Sequence, residues 1–333
     1  MEESGLDLSV CYEWSMCLFE SHLGKKGLSV IAVEDGGELV GIFPVFCRKK
    51  TVSLMPVKTI GPIYSLNCNH NDLIARKDRL DIIDQFFEGL KSVKELRNWN
   101  VLEMPDVTGD GATDRLLESY LMEVKYPFMK TRGGSPPFID MRNLSWNDYL
   151  RSRSENDRKN FRRKENNIRK AGKTEIRFVS EAEVIINTIM VIENRSWKHR
   201  NGSAITNKGH QMTFYNLLIR DLGEKVRFLA LYFNDVPISY CLGVVWGKKY
   251  FSLKTSYDEE YRKLSPGSVI KLYLLRYCFE NNLSEFDFCG EDEQHKMDFT
   301  DTGRQHYNYM IFNNDLYSRI GYGSCLIRQR LEL

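Results

Sequence analysis

The sequence predicts a mixed α/β protein made of two similar halves, each containing a mixed β-sheet. At 333 residues the chain is long for a single hydrophobic core. Residues 30–46 and 228–246 each contain two apolar runs separated by a turn with Asp, Asn or Gly, the pattern of a β-hairpin. The same order of helix, hairpin, helix and strand recurs around both hairpins, which indicates two copies of one α/β unit.

The first copy is read from the periodicity of its apolar residues. In chain order its segments are a helix at 12–22, hairpin strands at 30–33 and 39–46, a helix at 79–90 and a strand at 100–103. The segment 59–64 lacks the basic turn found at the corresponding place in the second copy. We therefore expect the first copy to have lost ligand binding and to serve as a wall or lid.

The second copy follows a break in which two glycines and two prolines fall within residues 131–137, where neither a helix nor a central strand can continue. The predicted division is therefore 1–134 and 135–333. In chain order the second copy contains a basic helix at 157–170, a helix at 212–222, hairpin strands at 228–233 and 237–246, a strand at 250–256, a helix at 269–281 and a strand entering 287–291.

Composition excludes several classes of function. The net charge of +2 provides no overall field for nucleic acid or a membrane surface. No apolar stretch approaches the length of a membrane span. The eight cysteines are scattered without a C-x-x-C pair, and the six histidines form no ligand pattern, so we expect a protein of the reducing cytoplasm without a metal.

The most informative segment joins the strand at 250–256 to the helix at 269–281. Ser265 suits an N-cap and Pro266 suits the first helical turn, while Gly267 permits close approach of a bulky group. Free backbone N–H groups and the positive end of the helix dipole together favour an anion. The segment is therefore either a pyrophosphate cradle or an ordinary strand-to-helix turn.

The order of strand, anion-binding turn, helix and parallel strand resembles the acyl-CoA half of the GNAT N-acyltransferase fold. The GNAT turn usually reads Arg/Gln-x-x-Gly-x-Gly/Ala, and residues 262–267 match it at Arg262 and Gly267, with Ser265 in place of the first glycine. Residues 135–140, the basic helix from Asp157, residues 195–198 and Lys296 make the chain more similar to the FemAB-like acetyltransferases, also called cellulose-biosynthesis-protein-like. The resemblance covers about 130–300 and implies two tandem GNAT-like domains of Fem type.

The resemblance implies an N-acyltransferase that uses acyl-CoA, with acetyl-CoA as the default donor, and a primary amine as acceptor. The strand at 251–256 would supply a backbone N–H to the thioester carbonyl, as in GNAT folds. The cofactor-binding residues that it implies are Thr255, Ser256, Arg262, Lys263, Leu264, Ser265, Pro266, Gly267 and Ser268. Direct attack by the amine needs no covalent intermediate, and no nucleophile–base arrangement is visible in the sequence.

Asp287 is the first candidate for the general base, because strand alternation points it away from its neighbouring phenylalanines. The alternative is a structural aspartate that caps a loop or pairs with Arg262. Glu291 is the second candidate base. Lys296, which matches the lysine closing the family's motif, would bind a substrate anion or pair with Asp292.

Further candidates concern the acceptor and the basic helix. Trp197 and Tyr257 are assigned to the substrate pocket, although a tryptophan suits a core equally well. In the basic helix, Phe161 and Ile168 fall on one face and are predicted to pack inward, beside a stripe containing Arg158, Arg162 and Arg169.

That basic stripe is either a solvated face or a phosphate-binding surface, since arginine grips phosphate with two hydrogen bonds. The phosphate could come from CoA, a nucleotide sugar or tRNA. Two alternatives to an acyl-CoA enzyme therefore stay open. One is a Fem-type transferase that uses aminoacyl-tRNA, and the other is a degenerate GNAT fold retained as a binding module. The acceptor, acyl chain length and oligomeric state are undetermined.

Overall fold

A computed structural model describes residues 7–23, 27–63, 70–76 and 82–331. The strands are β1 Leu28–Asp35, β2 Glu38–Val52, β3 Met55–Pro62, β4 Ile74–Ala75, β5 Val101–Thr108, β6 Phe128–Arg132, β7 Phe138–Asp140, β8 Thr174–Val179, β9 Val226–Phe233, β10 Val236–Trp246, β11 Lys249–Tyr257, β12 Glu285–Asp287 and β13 His306–Phe312. The α-helices are α1 Tyr12–Leu18, α2 Ile82–Ser92, α3 Ala112–Glu123, α4 Trp146–Ser152, α5 Glu155–Ala171, α6 Ala182–Asn194, α7 Trp197–Arg200, α8 Gly209–Leu222, α9 Pro266–Glu280, α10 Gln294–Met297 and α11 Leu316–Leu331. Short 3₁₀ helices occur at Leu8–Val10, Ile205–Asn207, Gly223–Lys225 and Glu259–Leu264, and a π-helical turn at Phe19–Leu23.

The chain forms two compact units, each with one sheet. The seven-stranded unit contains residues 23–135 and 304–331, and the six-stranded unit contains residues 7–22 and 136–303. The division near 135 lies where the glycine- and proline-rich segment was predicted to separate the halves. The two ends of the chain differ from the predicted division 1–134 and 135–333. Residues 7–22 belong to the six-stranded unit, and residues 304–331 belong to the seven-stranded unit.

The seven-stranded unit contains the first predicted hairpin. Its sheet has the order β1-β2-β3-β5-β13-β6, with β4 added against β2. The turn between β1 and β2 places Gly36 and Gly37 at positive φ, as the tightest hairpin turns require. β3 and β5 are parallel and are joined through α2, and β13 lies antiparallel between β5 and β6. Residues 64–69, which follow β3 in the chain, lie outside the described residues, so the loss of ligand binding by this copy stays a prediction.

The six-stranded unit repeats this arrangement in the order β7-β12-β11-β10-β9-β8. The second hairpin is confirmed, with Asn234 and Asp235 at positive φ between β9 and β10. β11 and β12 are parallel and are joined through α9, as β3 and β5 are joined through α2. The predicted repetition of one α/β topology is therefore present. The helix predicted at 12–22 is an exception, because α1 packs on α8 of the six-stranded unit, with Trp14 edge-on to Phe214.

Each unit buries its own apolar core. In the seven-stranded unit α2 buries Phe86, Phe87 and Leu90, the apolar stripe of an amphipathic helix, against the sheet. In the six-stranded unit α9 is apolar on almost all sides, because it packs between the sheet and other helices. The described cysteines are free, and most are buried among these side chains.

The basic helix α5 ends at Ala171, as predicted, with Phe161 and Ile168 buried. Gly172 follows it in an extended conformation rather than the left-handed one of a common C-terminal glycine. The glycine is needed for a different reason, since a Cβ here would lie 2.7 Å from the Phe233 ring and 2.8 Å from the Asn234 side-chain oxygen. The absence of a side chain at Gly172 allows the β9–β10 hairpin to lie close to the end of α5.

Candidate active site

The candidate site lies where the paired strands β11 and β12 part. The two strands pair only from Lys249 and Glu285 to Phe251 and Asp287. Beyond that point β11 continues to Tyr257 with β10 on one side and without β12 on the other. This leaves one edge of β11 available to a ligand. A β-bulge opposite the parting point leaves Leu253 as an extra residue in β11, a feature common beside active sites.

The turn after β11 is held in place by Asp258. This buried carboxylate caps the 3₁₀ helix Glu259–Leu264 through the backbone N–H of Glu260 and lies 3.4 Å from the Arg195 guanidinium. Arg262 and Lys263, in the last turn, are exposed, and Leu264 packs on the core. The segment of residues 262–268, called the cradle below, is therefore held by the buried Asp258 that precedes it and by the packing of Leu264 within it.

Ser265 occupies the N-cap position of α9, but its role differs from the prediction. Its φ of 52° and ψ of 46° are left-handed, and its side chain makes no capping hydrogen bond. Its backbone carbonyl instead accepts from the N–H groups of Ser268 and Val269. A left-handed backbone favours glycine, which explains physically why the related GNAT turn has glycine here.

The first turn of α9 presents the groups that an anion requires. Pro266 is the first helical residue, as predicted, and Gly267 lies against Tyr257, where an added Cβ would be 3.2 Å from the ring. Ser268 accepts a hydrogen bond from the Lys164 ammonium at 3.1 Å. The positive end of a 15-residue helix and a lysine from α5 therefore converge on one point.

The basic side chains of α5 differ in their exposure and in their hydrogen-bond partners. Arg162 is exposed, and its guanidinium has no partner in the part of the chain that the structure describes. Arg158 donates to the Arg151 carbonyl, and Arg169 donates to the Tyr273 hydroxyl at 2.6 Å. Half-buried Lys164 is the cation of α5 that reaches the cradle, and burial lowers its pKa.

The segment 195–198 is brought to the same edge of β11. The carbonyl of Arg195 accepts the N–H of Glu259, and the Lys198 ammonium donates to the Thr255 carbonyl at 2.6 Å. Trp197 is 41% exposed, so the alternative that it is a core residue is wrong. Its role in the acceptor pocket stays a prediction.

Asp287 lies at the end of β12 and is fully buried. One of its carboxylate oxygens accepts the backbone N–H of Cys289 at 2.7 Å, the loop-capping arrangement named above as the alternative to a base. Arg262, the other partner named for it above, is exposed in the last turn of the 3₁₀ helix Glu259–Leu264. Glu291 is exposed on the following loop.

Lys296 closes that loop. Its ammonium donates to the carbonyls of Cys289 and Glu291 at 2.8 and 3.0 Å and pairs with Glu293 at 3.0 Å. The predicted pairing with Asp292 is wrong, and the acidic partner is Glu293. All three ammonium protons are thus used within the loop.

Sequence reasoning missed three charged groups, of which Glu193 and Lys271 are buried and Lys164 is half-buried. Lys164 was treated only as one charge of a basic run. Glu193 lies on the apolar face of α6 and accepts from the Tyr240 hydroxyl and the Ile205 N–H. Lys271 lies on the buried face of α9 and is only 5% exposed. The signal for the last two was a charged residue at an inward-facing helical position.

Ser256 also carries an unexplained polar atom. Its hydroxyl is buried and has no hydrogen-bond partner in the described ranges. Those ranges contain no group of three or more His, Cys, Asp and Glu residues placed to hold a metal. None of the described helices combines the length and apolarity needed to cross a membrane.

Comparisons with known proteins agree with this geometry. The sequence profile of the family described as "Acetyltransferase (GNAT) domain" matches residues 155–297. The fold is similar to that of FemX, with a TM-score of 0.65 at 14% identity over 95% of this chain and 94% of FemX. It is also similar to a conserved protein of unknown function from Bacteroides thetaiotaomicron, with a TM-score of 0.60 at 9% identity over 92% and 91% of the two chains.

A third similar structure is L-PGS from Bacillus licheniformis, with a TM-score of 0.56 at 10% identity over 98% of each chain. A comparison with curated proteins finds no match for the sequence. The structural similarities concern the fold, and the matched profile covers the helices and strands that form the cradle. Residues 155–297 therefore match the GNAT acetyltransferase domain family, and the fold of the whole chain is similar to that of FemX.

Proposed function

We propose that this protein transfers an acyl group, by default acetyl, from acyl-CoA to a primary amine of a small-molecule or sugar acceptor. The observation that carries the proposal is the position of the cradle. It lies at the start of α9, in the connection that follows the part of β11 without β12 beside it, so a phosphate at Ser268 and a thioester along β11 can belong to one extended ligand.

In the proposed complex the pyrophosphate lies on the N–H group of Gly267 and the hydroxyl of Ser268, near the Lys164 ammonium. The thioester carbonyl lies at the open edge of β11, where Thr255 and Ser256 present backbone and hydroxyl groups. A donor aimed at the developing oxyanion stabilises the transition state more than the substrate.

The chemical step is direct attack of the neutral amine on the thioester carbonyl. A C–N bond forms, the C–S bond breaks, and the amine gives up one proton to a general base, from which it passes to the departing thiolate so that CoA leaves as the thiol. We propose Asp287 or Glu291 as the acceptor of that proton, directly or through water. Buried Asp287 is already oriented by the Cys289 N–H, and exposed Glu291 is free to exchange protons with solvent.

The test is binding of acetyl-CoA by isothermal titration calorimetry, followed by release of free thiol in the presence of a panel of primary amines. We expect saturable binding of one acetyl-CoA per chain and amine-dependent thiol release. Absence of binding by CoA, acetyl-CoA and longer acyl-CoAs would refute the proposal.

A second candidate is aminoacyl transfer from tRNA, and the exposed guanidinium of Arg162 on the basic helix α5 favours it. This candidate predicts tight tRNA binding that weakens steeply with salt, because each neutralised phosphate releases a counterion. It also predicts that Arg162→Gln weakens tRNA binding but leaves acetyl-CoA binding unchanged.

A further inference from the structure

Lys271 has an unusual position for a lysine. It lies on the face of α9 that packs on the sheet, with 5% of its surface exposed. Its ammonium makes no hydrogen bond or ion pair with any residue that the structure describes, and lies 5.8 Å from the centre of the Phe299 ring. Glu293 and Asp298 are near enough to affect its charge, but neither carboxylate contacts it.

A second ammonium approaches the same strand from α7. Lys198 reaches the Thr255 carbonyl on the part of β11 beyond its last pair with β12. Cys241, the cross-strand neighbour of Thr255, is buried in the same core as the apolar side chains of α9, the helix that carries Lys271. Lys198 and Lys271 therefore approach one short stretch of β11 from two helices.

Buried Glu193 acts on Lys198 and on Lys254, and with Glu293 paired to Lys296 the remaining cations outnumber it. Lys254 adds a third cation on β11, and Lys296 has its protons committed to the loop 289–293. Burial lowers the pKa of Lys198 and of Lys271 to about 8 in each case. A buried ammonium is stable when an anion accompanies it, and this edge of β11 supplies cations in excess.

We propose that Lys271 and Lys198 bind a carboxylate carried by one of the two substrates. The proposal rests on the function proposed above and specifies its substrate class. The carboxylate belongs either to the acyl group of the donor or to the amine acceptor, since both meet at this edge of β11. An aminoacyl donor would instead bring an α-ammonium group to two lysines, which disfavours it.

A phosphate is a poorer match for this place. The phosphates of the donor are accounted for at the cradle, and Lys271 lies one helical turn beyond Gly267. A single carboxylate can accept hydrogen bonds from two ammonium groups at once. The structure thus separates a phosphate-binding region at the start of α9 from a carboxylate-binding region one turn later.

The donor arm of the test compares succinyl-CoA with butyryl-CoA, whose four-carbon acyl groups differ by the terminal carboxylate. The acceptor arm compares L-alanine with L-alaninamide, each titrated into protein saturated with CoA. We expect at least a tenfold preference for the carboxylate ligand in one arm, and the arm that shows it identifies the source. The preference should fall below threefold in Lys271→Met.

Lys159→Met is the matched control, because Lys159 is exposed on α5 and pairs with Glu155. The control should keep the full preference. Lys271→Met replaces an unaccompanied buried cation with an apolar side chain of similar length, so we expect it to fold. Lys198→Met, at a less buried position, provides a second variant and should reduce the preference as well.

Proton uptake gives an independent readout. At pH 9 a free lysine of this kind is mostly neutral, and a bound carboxylate should restore its proton. Because Lys198 and Lys271 both have a pKa of about 8, calorimetry in buffers of different ionisation enthalpy should show uptake of up to about two protons in the wild type and about one fewer in Lys271→Met. Equal affinities in both arms would overturn the inference while leaving the transferase proposal intact, whereas failure of every CoA species to bind would overturn that proposal as well.

Discussion

Ser268→Asp separates binding at the cradle from stability of the fold. Ser268 is the third residue of α9, a position where a negative charge interacts favourably with the helix dipole by about 0.3–1 kcal/mol. The new carboxylate would also meet the Lys164 ammonium, which lies 3.1 Å from the present hydroxyl. We therefore expect unchanged or slightly higher stability, with Tm raised by roughly 0–3 °C.

The same substitution should weaken acyl-CoA binding. Two unit charges about 5 Å apart at an effective dielectric constant of about 20 repel by about 3 kcal/mol, and salt reduces this. A loss of about 1–3 kcal/mol corresponds to roughly 5- to 150-fold weaker binding. Ser268→Asn, whose new side chain is neutral and about as large as that of aspartate, should change the affinity for acyl-CoA by less than about fivefold.

The assay is calorimetric titration of acetyl-CoA into the wild type and both variants, with thermal unfolding of each. Equal affinities for the Asp and Asn variants in folded protein would refute a phosphate at the start of α9. Loss of binding together with a lower Tm would show that the substitution damaged the fold and not the binding site, and would refute the predicted dipole effect.

Three further outcomes follow from the geometry. Ser265→Gly should change the unfolding free energy by less than about 1 kcal/mol, while Ser265→Val should lower it by about 1–3 kcal/mol, because a β-branched residue tolerates the left-handed backbone poorly; urea denaturation measures both. Asp287→Asn keeps an acceptor for the Cys289 N–H, so it should reduce turnover by about 100-fold with acetyl-CoA affinity unchanged, whereas unaltered turnover would remove Asp287 from the mechanism. Below pH 8, Lys271→Met should have a free energy of unfolding up to about 3 kcal/mol higher than that of the wild type. Between pH 8 and 10.5 this difference should disappear, because only the unfolded wild type then keeps the lysine proton. A difference that stays constant across that range would contradict the buried charge.

The hairpins could be predicted from sequence because their turns are local. Asn234 and Asp235, or a pair of glycines, supply the positive φ that a two-residue turn needs, and the apolar runs beside them fix the strands. The start of α9 was predictable in position for a similar reason, since Pro266 suits a first turn. The conformation of Ser265 was not, because serine at a helix start usually caps with its side chain and only the surrounding chain imposes a left-handed backbone here.

Contacts distant in sequence account for what could not be predicted. β13 finds its partners about 200 residues earlier in β5, and no local pattern indicates that pairing. Lys271 illustrates a partial signal. Its spacing from Leu274 and Cys278 places it on the buried stripe of α9, yet the depth of burial depends on how the sheet covers that stripe.

The exchange of terminal segments has a consequence for synthesis and dissection of the chain. β13 is an interior strand of the seven-stranded sheet, so β5 and β6 lack the strand between them until residues 306–312 have been made. During translation those residues are made only after the whole six-stranded unit, so the seven-stranded sheet cannot be completed before then. Expression of residues 1–134 alone would therefore leave two strand edges unpaired, and proteolysis near 135 would cut the covalent link without yielding two self-sufficient domains.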